Sequence, residues 1–193
     1  MGSADQRAIY KFYGIYQNDW VNDFGKFQAG THYELTREYI SDACDTTDYT
    51  AASAGTDINI DVEFMYPNHI KRQYSIEGVV EGEFTVACNG GNSTVTQYRV
   101  SVWKTNFDTT YEEICTTDWV VVSTSLTWDA GYSVGEEMVY HYRIDQWDHY
   151  DLTEYDRIFI KIEIQCTATN TRLMHSNDSD WTDIWVEVPL RLD

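Results

Sequence analysis

Along residues 156–166, DRIFIKIEIQC, isoleucines stand at 158, 160, 162 and 164 and a cysteine at 166, with Phe159, Lys161, Glu163 and Gln165 between them. Successive side chains on a strand point to opposite faces. This stretch therefore has one wholly apolar face and one mostly polar face, the pattern of a half-buried β-strand. The alternation recurs down the chain. TDINIDVEFMY (56–66) sets Ile58, Ile60, Val62, Phe64 and Tyr66 against Asp57, Asn59, Asp61 and Glu63. RQYSIEGVVEGEFTVAC (72–88) reads as one bent strand or two short ones broken at Gly78 and Gly82, because glycine within a strand pattern marks a bend or bulge. TVTQYRVSVWK (94–104), DWVVVSTSLTW (118–128), EMVYHYRID (137–145) and TDIWVEVPLRL (182–192) follow. CNGGNS and DAGYSVGE serve as turns, and DQWDHYDLTEYD (145–156) reads as an acidic loop before the isoleucine strand.

The first strand, RAIYKFYGIY (7–16), carries aromatics on both parities. Residues 17–55 then lose the pattern and become rich in Asp, Thr, Asn and Ala, with only YELTREYISDAC (33–44) suggesting a short helix or an edge strand. A structureless stretch of that length is more often an arm, a lid or a functional loop than a simple connector. The division expected is 1–55 as N-terminal strand or arm with a long loop and 56–193 as a β-sandwich core, in one structural domain overall. Helical crossovers are missing between the eight or nine strands, which excludes a parallel α/β design. The fold expected is all-β: an antiparallel β-sandwich, with the jelly roll as one form of it and a long irregular N-terminal segment. The isoleucine face is then core.

Charge changes the picture most. Thirteen basic against 32 acidic residues leave a net charge of -19, about one net negative charge per 500 Å² of a surface estimated at roughly 9,500 Å². Such a field repels phosphate backbones and argues against direct nucleic-acid binding. Fifteen tyrosines and seven tryptophans suit strands and contact surfaces. No apolar run approaches the length that spans a membrane. The opening MGSADQRAIYKFYG lacks the apolar core of a secretory leader, so the chain is expected either to be made and used without secretion or to have lost a leader. Cys44, Cys88, Cys115 and Cys166 show no zinc-ribbon spacing; buried free thiols are the expectation, with a Cys88–Cys166 disulfide as the alternative.

Catalytic signatures are missing. His32, His69, His141, His149 and His175 form neither HxxxH nor HExxH, and no nucleophile elbow or phosphate-binding glycine loop occurs. No carboxylate pair sits in the apolar setting that would raise one pKa for glycoside hydrolysis. The acidic loops 145–156 and NDSDWTD (177–183) could offer oxygen ligands to Ca²⁺, although neither follows an EF-hand pattern. Solvated connectors are the simpler reading, so no cofactor is expected. Trp147, Tyr150 and Trp181 in these loops are candidates for protein contact or for stacking on a glycan. Sequons at Asn92 and Asn177 are short matches that arise by chance.

The succession over residues 94–190 carries a resemblance. YRVSVWKT leads through TYEEICTTDW to VVVSTSLTW and AGYSVGEEMVYHYRI, a DLTEYDRIFIKIEI step follows, and DIWVEVPL closes the series at Pro189. This resembles β-sandwich structural proteins of tailed viruses and environmental phages, in which a polar loop ending in Asp-Arg introduces a long apolar strand. The resemblance implies a non-enzymatic virion component (head decoration, neck or tail) that associates with itself and with other virion proteins. Tyr10, Phe12, Tyr13, Tyr16 and Trp20 could then be an arm laid on a neighbour, against the plainer expectation of a first sandwich strand. Two other readings stand beside it: a lectin-like carbohydrate-binding sandwich, Ca²⁺-dependent or not, and an extracellular filament or surface-layer subunit.

Overall fold

The computed structural model describes residues 7–17, 32–36, 49–66, 70, 73–106, 110–130, 136–174 and 184–192. The strands are β1 (Arg7–Gln17), β2 (His32–Thr36), β3 (Tyr49–Ala51), β4 (Ile60–Met65), β5 (Tyr74–Cys88) and β6 (Ser93–Thr105). They continue as β7 (Tyr111–Thr116), β8 (Val120–Leu126), β9 (Glu137–Leu152), β10 (Arg157–Cys166), β11 (Thr171–Met174) and β12 (Trp185–Leu192). One sheet runs β9-β5-β12-β1-β2, with β11 and β3 beside the far end of β5. The other runs β4-β10-β6, and β7 and β8 share the outer side of β6. Within each sheet the pairing is antiparallel, and the two sheets meet at one margin where β2 and β4 pair in parallel at Tyr33↔Phe64 and Glu34↔Met65. Taking β1, β12, β5 and β9 against β4, β10, β6 and β7, the strand order is that of a jelly roll.

The isoleucine strand lies where its pattern requires. β10 is central, paired with β4 and β6, and Ile158, Ile160, Ile162 and Ile164 are all buried. They pack with Val62, Phe64, Val100, Val102, Phe84 and Val186 in one core between the sheets. At about 1.5–3 kcal/mol for each buried aliphatic side chain, these four alone rival a domain's net stability.

β5 is one strand, not two. Its bend is at Gly78, whose φ of 133° suits glycine, and the ladders to β12 and β9 both change register around it. Gly82 does not break the strand. It lies directly opposite Val186 on one side and Tyr142 on the other. A Cβ there would collide with the Trp185 carbonyl oxygen and the Tyr142 hydroxyl, which donates to that carbonyl at 3.3 Å. The glycine makes room for a buried phenol to reach backbone across the sheet.

β1 pairs with β12 from Arg7↔Arg191 to Tyr13↔Trp185, so it is the sandwich strand of the plainer expectation and not an arm. Two other expectations need correction. The stretch 17–55 contains β2 and β3, and His32–Thr36 is strand rather than helix. Most of the supposed acidic loop is β9, which runs on to Leu152 and leaves a turn at 153–156. Cys88, Cys115 and Cys166 are free thiols, as expected, and the alternative Cys88–Cys166 disulfide does not form. Cys44 lies outside the described residues.

Candidate functional site

The turn into β10 gives the Asp-Arg pair a structural task. The Asp156 carboxylate accepts from the Thr153 amide at 2.7 Å and the Thr153 hydroxyl at 3.0 Å, while the Asp156 amide donates back to Thr153 O at 3.1 Å. The main chain of Ile70 brackets the same turn through Ile70 N to Asp156 O at 2.8 Å and Tyr155 N to Ile70 O at 3.1 Å. Arg157, buried, then starts the strand opposite Thr105. Lys104 reaches across to this turn. Its ammonium lies 3.8 Å from Asp156, 3.5 Å from Glu112 and 4.7 Å from the centre of the Tyr150 ring, and donates to Asp151 O at 3.1 Å. Burial pushes the Tyr150 hydroxyl well up, with the Glu112 charge adding to it. The phenol faces that carboxylate without closing a hydrogen bond of good geometry. Tyr150 therefore braces the end of the sandwich.

The outer face of β10 is covered as well. Phe159 stands opposite Trp103 and stacks on it at 6.0 Å, with Tyr111 edge-on at 5.6 Å. Glu163 stands opposite Arg99, whose Nε and Nη2 both lie 2.6 Å from one carboxylate oxygen. Lys161 is 3.5 Å from the other oxygen and 3.2 Å from Asp61, and the Trp119 ring lies 5.1 Å from the Arg99 guanidinium. Only 2% of the Glu163 side chain meets solvent, against 31% of Arg99. Cross-strand pairs of this kind stabilise a sheet.

One flank is open among the described residues. The sheets end there in β9 and in β7–β8, and among the described residues these strands pair only with β5 and β6. Phe84, Tyr98 and Tyr140 pack behind β9 with ring centres 5.1–5.4 Å apart, and the Tyr98 hydroxyl donates to His141 O at 2.9 Å. Burial raises the pKa of Tyr98, Tyr140 and Tyr142. On the solvent side, His141 meets Glu83 at 2.9 Å and Arg143 meets Asp145 at 3.0 Å. Opposite the single residue Glu77, β9 makes a bulge of three, Trp147, Asp148 and His149. Here Trp147 is 62% exposed, and His149 sits 3.6 Å from Glu77 and 2.9 Å from Asp151. Val121 and Met138 also stand exposed along this flank. Among the described residues this edge meets no further strand and carries isolated apolar side chains.

The residues singled out from sequence divide accordingly. Phe12 is core and so not an interface side chain, while half-buried Tyr10 packs on the core and on Tyr74 at 6.5 Å. Tyr13 is half-buried, sharing Lys11 with Trp185, whose ring lies 3.9 Å from the ammonium. The Tyr16 backbone pairs with Tyr33; its side chain, Trp20 and Trp181 lie outside the described residues. Trp147 is exposed as expected, on a strand bulge and not in a loop. No cluster of three or more His, Cys, Asp or Glu able to hold a metal ion occurs among the described residues. Near 145–156, Asp145, Asp151 and Asp156 each serve a separate local partner. The Arg99–Glu163 pair and the Lys104 bridge escaped the sequence reading, since both depend on register.

No family model and no curated protein matches the chain. Among solved structures it is similar to a CocE/NonD family hydrolase from Staphylococcus aureus, at TM-score 0.56 and 10% identity, over 95% of this chain and 37% of that one. A second structure of that hydrolase matches at TM-score 0.45 and 10% identity, over 94% and 36%. Eiger TNF from S. frugiperda matches at TM-score 0.28 and 11% identity, over 76% and 94%. The chain spans little more than a third of the hydrolase's length. At such identity the first likeness speaks for the fold alone, and the two weaker ones add nothing to it.

Proposed function

We propose that the protein is a non-enzymatic structural subunit that works by protein–protein assembly, as a head decoration, neck or tail component of a virion. The observation that carries this reading is the open flank: two sheet edges without a partner among the described residues, bearing exposed Val121, Met138 and Trp147. The jelly-roll strand order supports it, since viral capsid domains use that architecture. So does the resemblance of residues 94–190 to virion sandwich proteins. A lectin-like binding module is the second reading, favoured by Trp147, an exposed ring beside His149 and Asp151 on a strand bulge.

Two measurements on the full chain separate these readings. Light scattering behind size exclusion, in Ca²⁺ and then in chelator, should give a discrete multimer of 22.5 kDa subunits in both conditions. Polysaccharide affinity columns should retain neither the wild type nor Trp147→Ala. A monomer held by a polysaccharide and released by Trp147→Ala would overturn the assembly reading in favour of glycan binding.

A further inference from the structure

The outer edge of β9 carries a charge pattern complementary to itself. We propose that two copies of the chain join β9 to β9 as antiparallel neighbours about a two-fold axis at Ile144, continuing the β9-β5-β12-β1-β2 sheet across a dimer. The proposal rests on the assembly reading and names one contact within it.

β9 is 16 residues long and pairs only with β5 among the described residues. Its second side meets no other strand among the described residues and so offers backbone groups as a template for another strand, with the second lone pair of the His141 carbonyl left over from its bond to the Tyr98 hydroxyl. Between Tyr142 and Gln146 its pairing with β5 is unbroken, so the edge runs regularly where the copies would meet. In an antiparallel pair, directly opposed residues share a face and their side chains touch. With Ile144 on the axis, Arg143 opposes Asp145 of the second copy and Asp145 opposes Arg143 of the second copy. Both side chains are more than half exposed and point the same way, since they already meet each other at 3.0 Å within one chain.

The neighbouring registers fail. An axis at Arg143 sets that arginine against itself, and an axis at Asp145 sets two carboxylates together. In the Ile144 register exposed Trp147, the first residue of the bulge, comes nearest to His141 of the second copy. A patch complementary to itself is what a closed two-fold contact requires. A seam of strand edges buries less than the roughly 1,600 Å² of a standard interface, and -19 charges on each copy repel at long range. The dimer should therefore form at high protein concentration and physiological salt, and dissociate on dilution.

The test is a charge swap divided between two proteins. Arg143→Asp and Asp145→Arg each turn both contacts of the seam into like charges, on exposed side chains that the fold does not need. Sedimentation velocity should show wild type dimerising, each variant alone weakened at least tenfold, and an equimolar mixture recovering as a heterodimer. Native mass spectrometry with one chain isotope-labelled would identify that heterodimer. If wild type assembles and both variants assemble equally well, the β9 seam is wrong and the assembly reading survives. If both variants weaken but the mixture does not recover, the proposed register is wrong. A wild type that stays monomeric at every concentration overturns the seam and the assembly reading together.

Discussion

Replacing Arg99 by alanine tests whether the outer face of β10 contributes to stability. The substitution leaves the Glu163 carboxylate, with 2% of its side chain exposed, facing a gap where two guanidinium nitrogens had been 2.6 Å away. Lys161 remains at 3.5 Å, already committed to Asp61 at 3.2 Å. Breaking a buried pair from one side costs about 3–5 kcal/mol. Because Arg99 is about a third exposed and Lys161 stays, the expected cost is about 3 kcal/mol, after discounting for solvent screening. For a chain of this size that lowers the melting temperature by roughly 6–12 °C. Urea unfolding followed by tryptophan fluorescence should show a lower midpoint with an unchanged slope, since little surface changes. The double substitution Arg99→Met with Glu163→Leu, which removes both charges and keeps their volume, should recover most of the loss. A cost below about 0.5 kcal/mol for Arg99→Ala, or a double variant as unstable as the single one, would mean that water reaches Glu163 and that the pair is not a buried one.

Two further outcomes follow from the packing. Gly82→Ala should cost about 3 kcal/mol, from overpacking against β12 and loss of the Tyr142–Trp185 hydrogen bond; a midpoint within about 0.5 kcal/mol of wild type would mean the two strands part freely there. Alkaline titration should be strongly destabilising. Burial holds the Tyr98, Tyr140, Tyr142 and Tyr150 hydroxyls above the ordinary 10.0 and pushes the Cys115 thiol up to about 12. Below pH about 7.5 these groups are protonated whether the chain is folded or not, and their contribution is flat; above it the unfolded chain releases protons that the fold retains, first from the thiol near its ordinary 9.0 and then from the phenols near 10.0, so stability falls as pH rises. The tyrosinate absorbance of these four phenols should therefore appear together with loss of circular dichroism. Gradual ionisation of all the tyrosines in a still-folded protein would contradict this.

What the sequence made legible is what depends on one strand at a time. Alternation placed Ile158 to Ile164, Ile60 to Phe64 and Val186 to Leu190 on core faces, because a period of two fixes facing without reference to a neighbour. The far half of β9 was obscured because Gln146 and Asp148 occupy inward parities around the bulge, where an unbroken strand would carry apolar residues. β7 was obscured for a similar reason. A register shift between Val102 and Trp103 buries the consecutive residues Ile114 and Cys115, which breaks the alternation. The second, solvent-side cover of β10 lay beyond a one-strand reading. That Phe159 meets Trp103 and Glu163 meets Arg99 is decided by register between segments some 60 residues apart in sequence.

The candidate site follows the same division. Trp147 stands out in the sequence as an aromatic among acidic residues, and it is exposed. The aromatic residues near the N-terminus fit either a contact arm or the plainer first strand, and Phe12 is sealed in the core because β12 comes back beside β1. An aromatic-rich strand and an aromatic-rich arm have the same composition; only the returning strand tells them apart. The open edge of β9 depends on which strands find partners, a property of topology and not of any motif.

Sedimentation equilibrium of the full chain at physiological salt, from nanomolar to high micromolar concentration, bears on the proposed self-association without any variant. A reversible rise in mass from 22.5 kDa to a discrete multimer is expected. A single 22.5 kDa species at every concentration would rule self-association out.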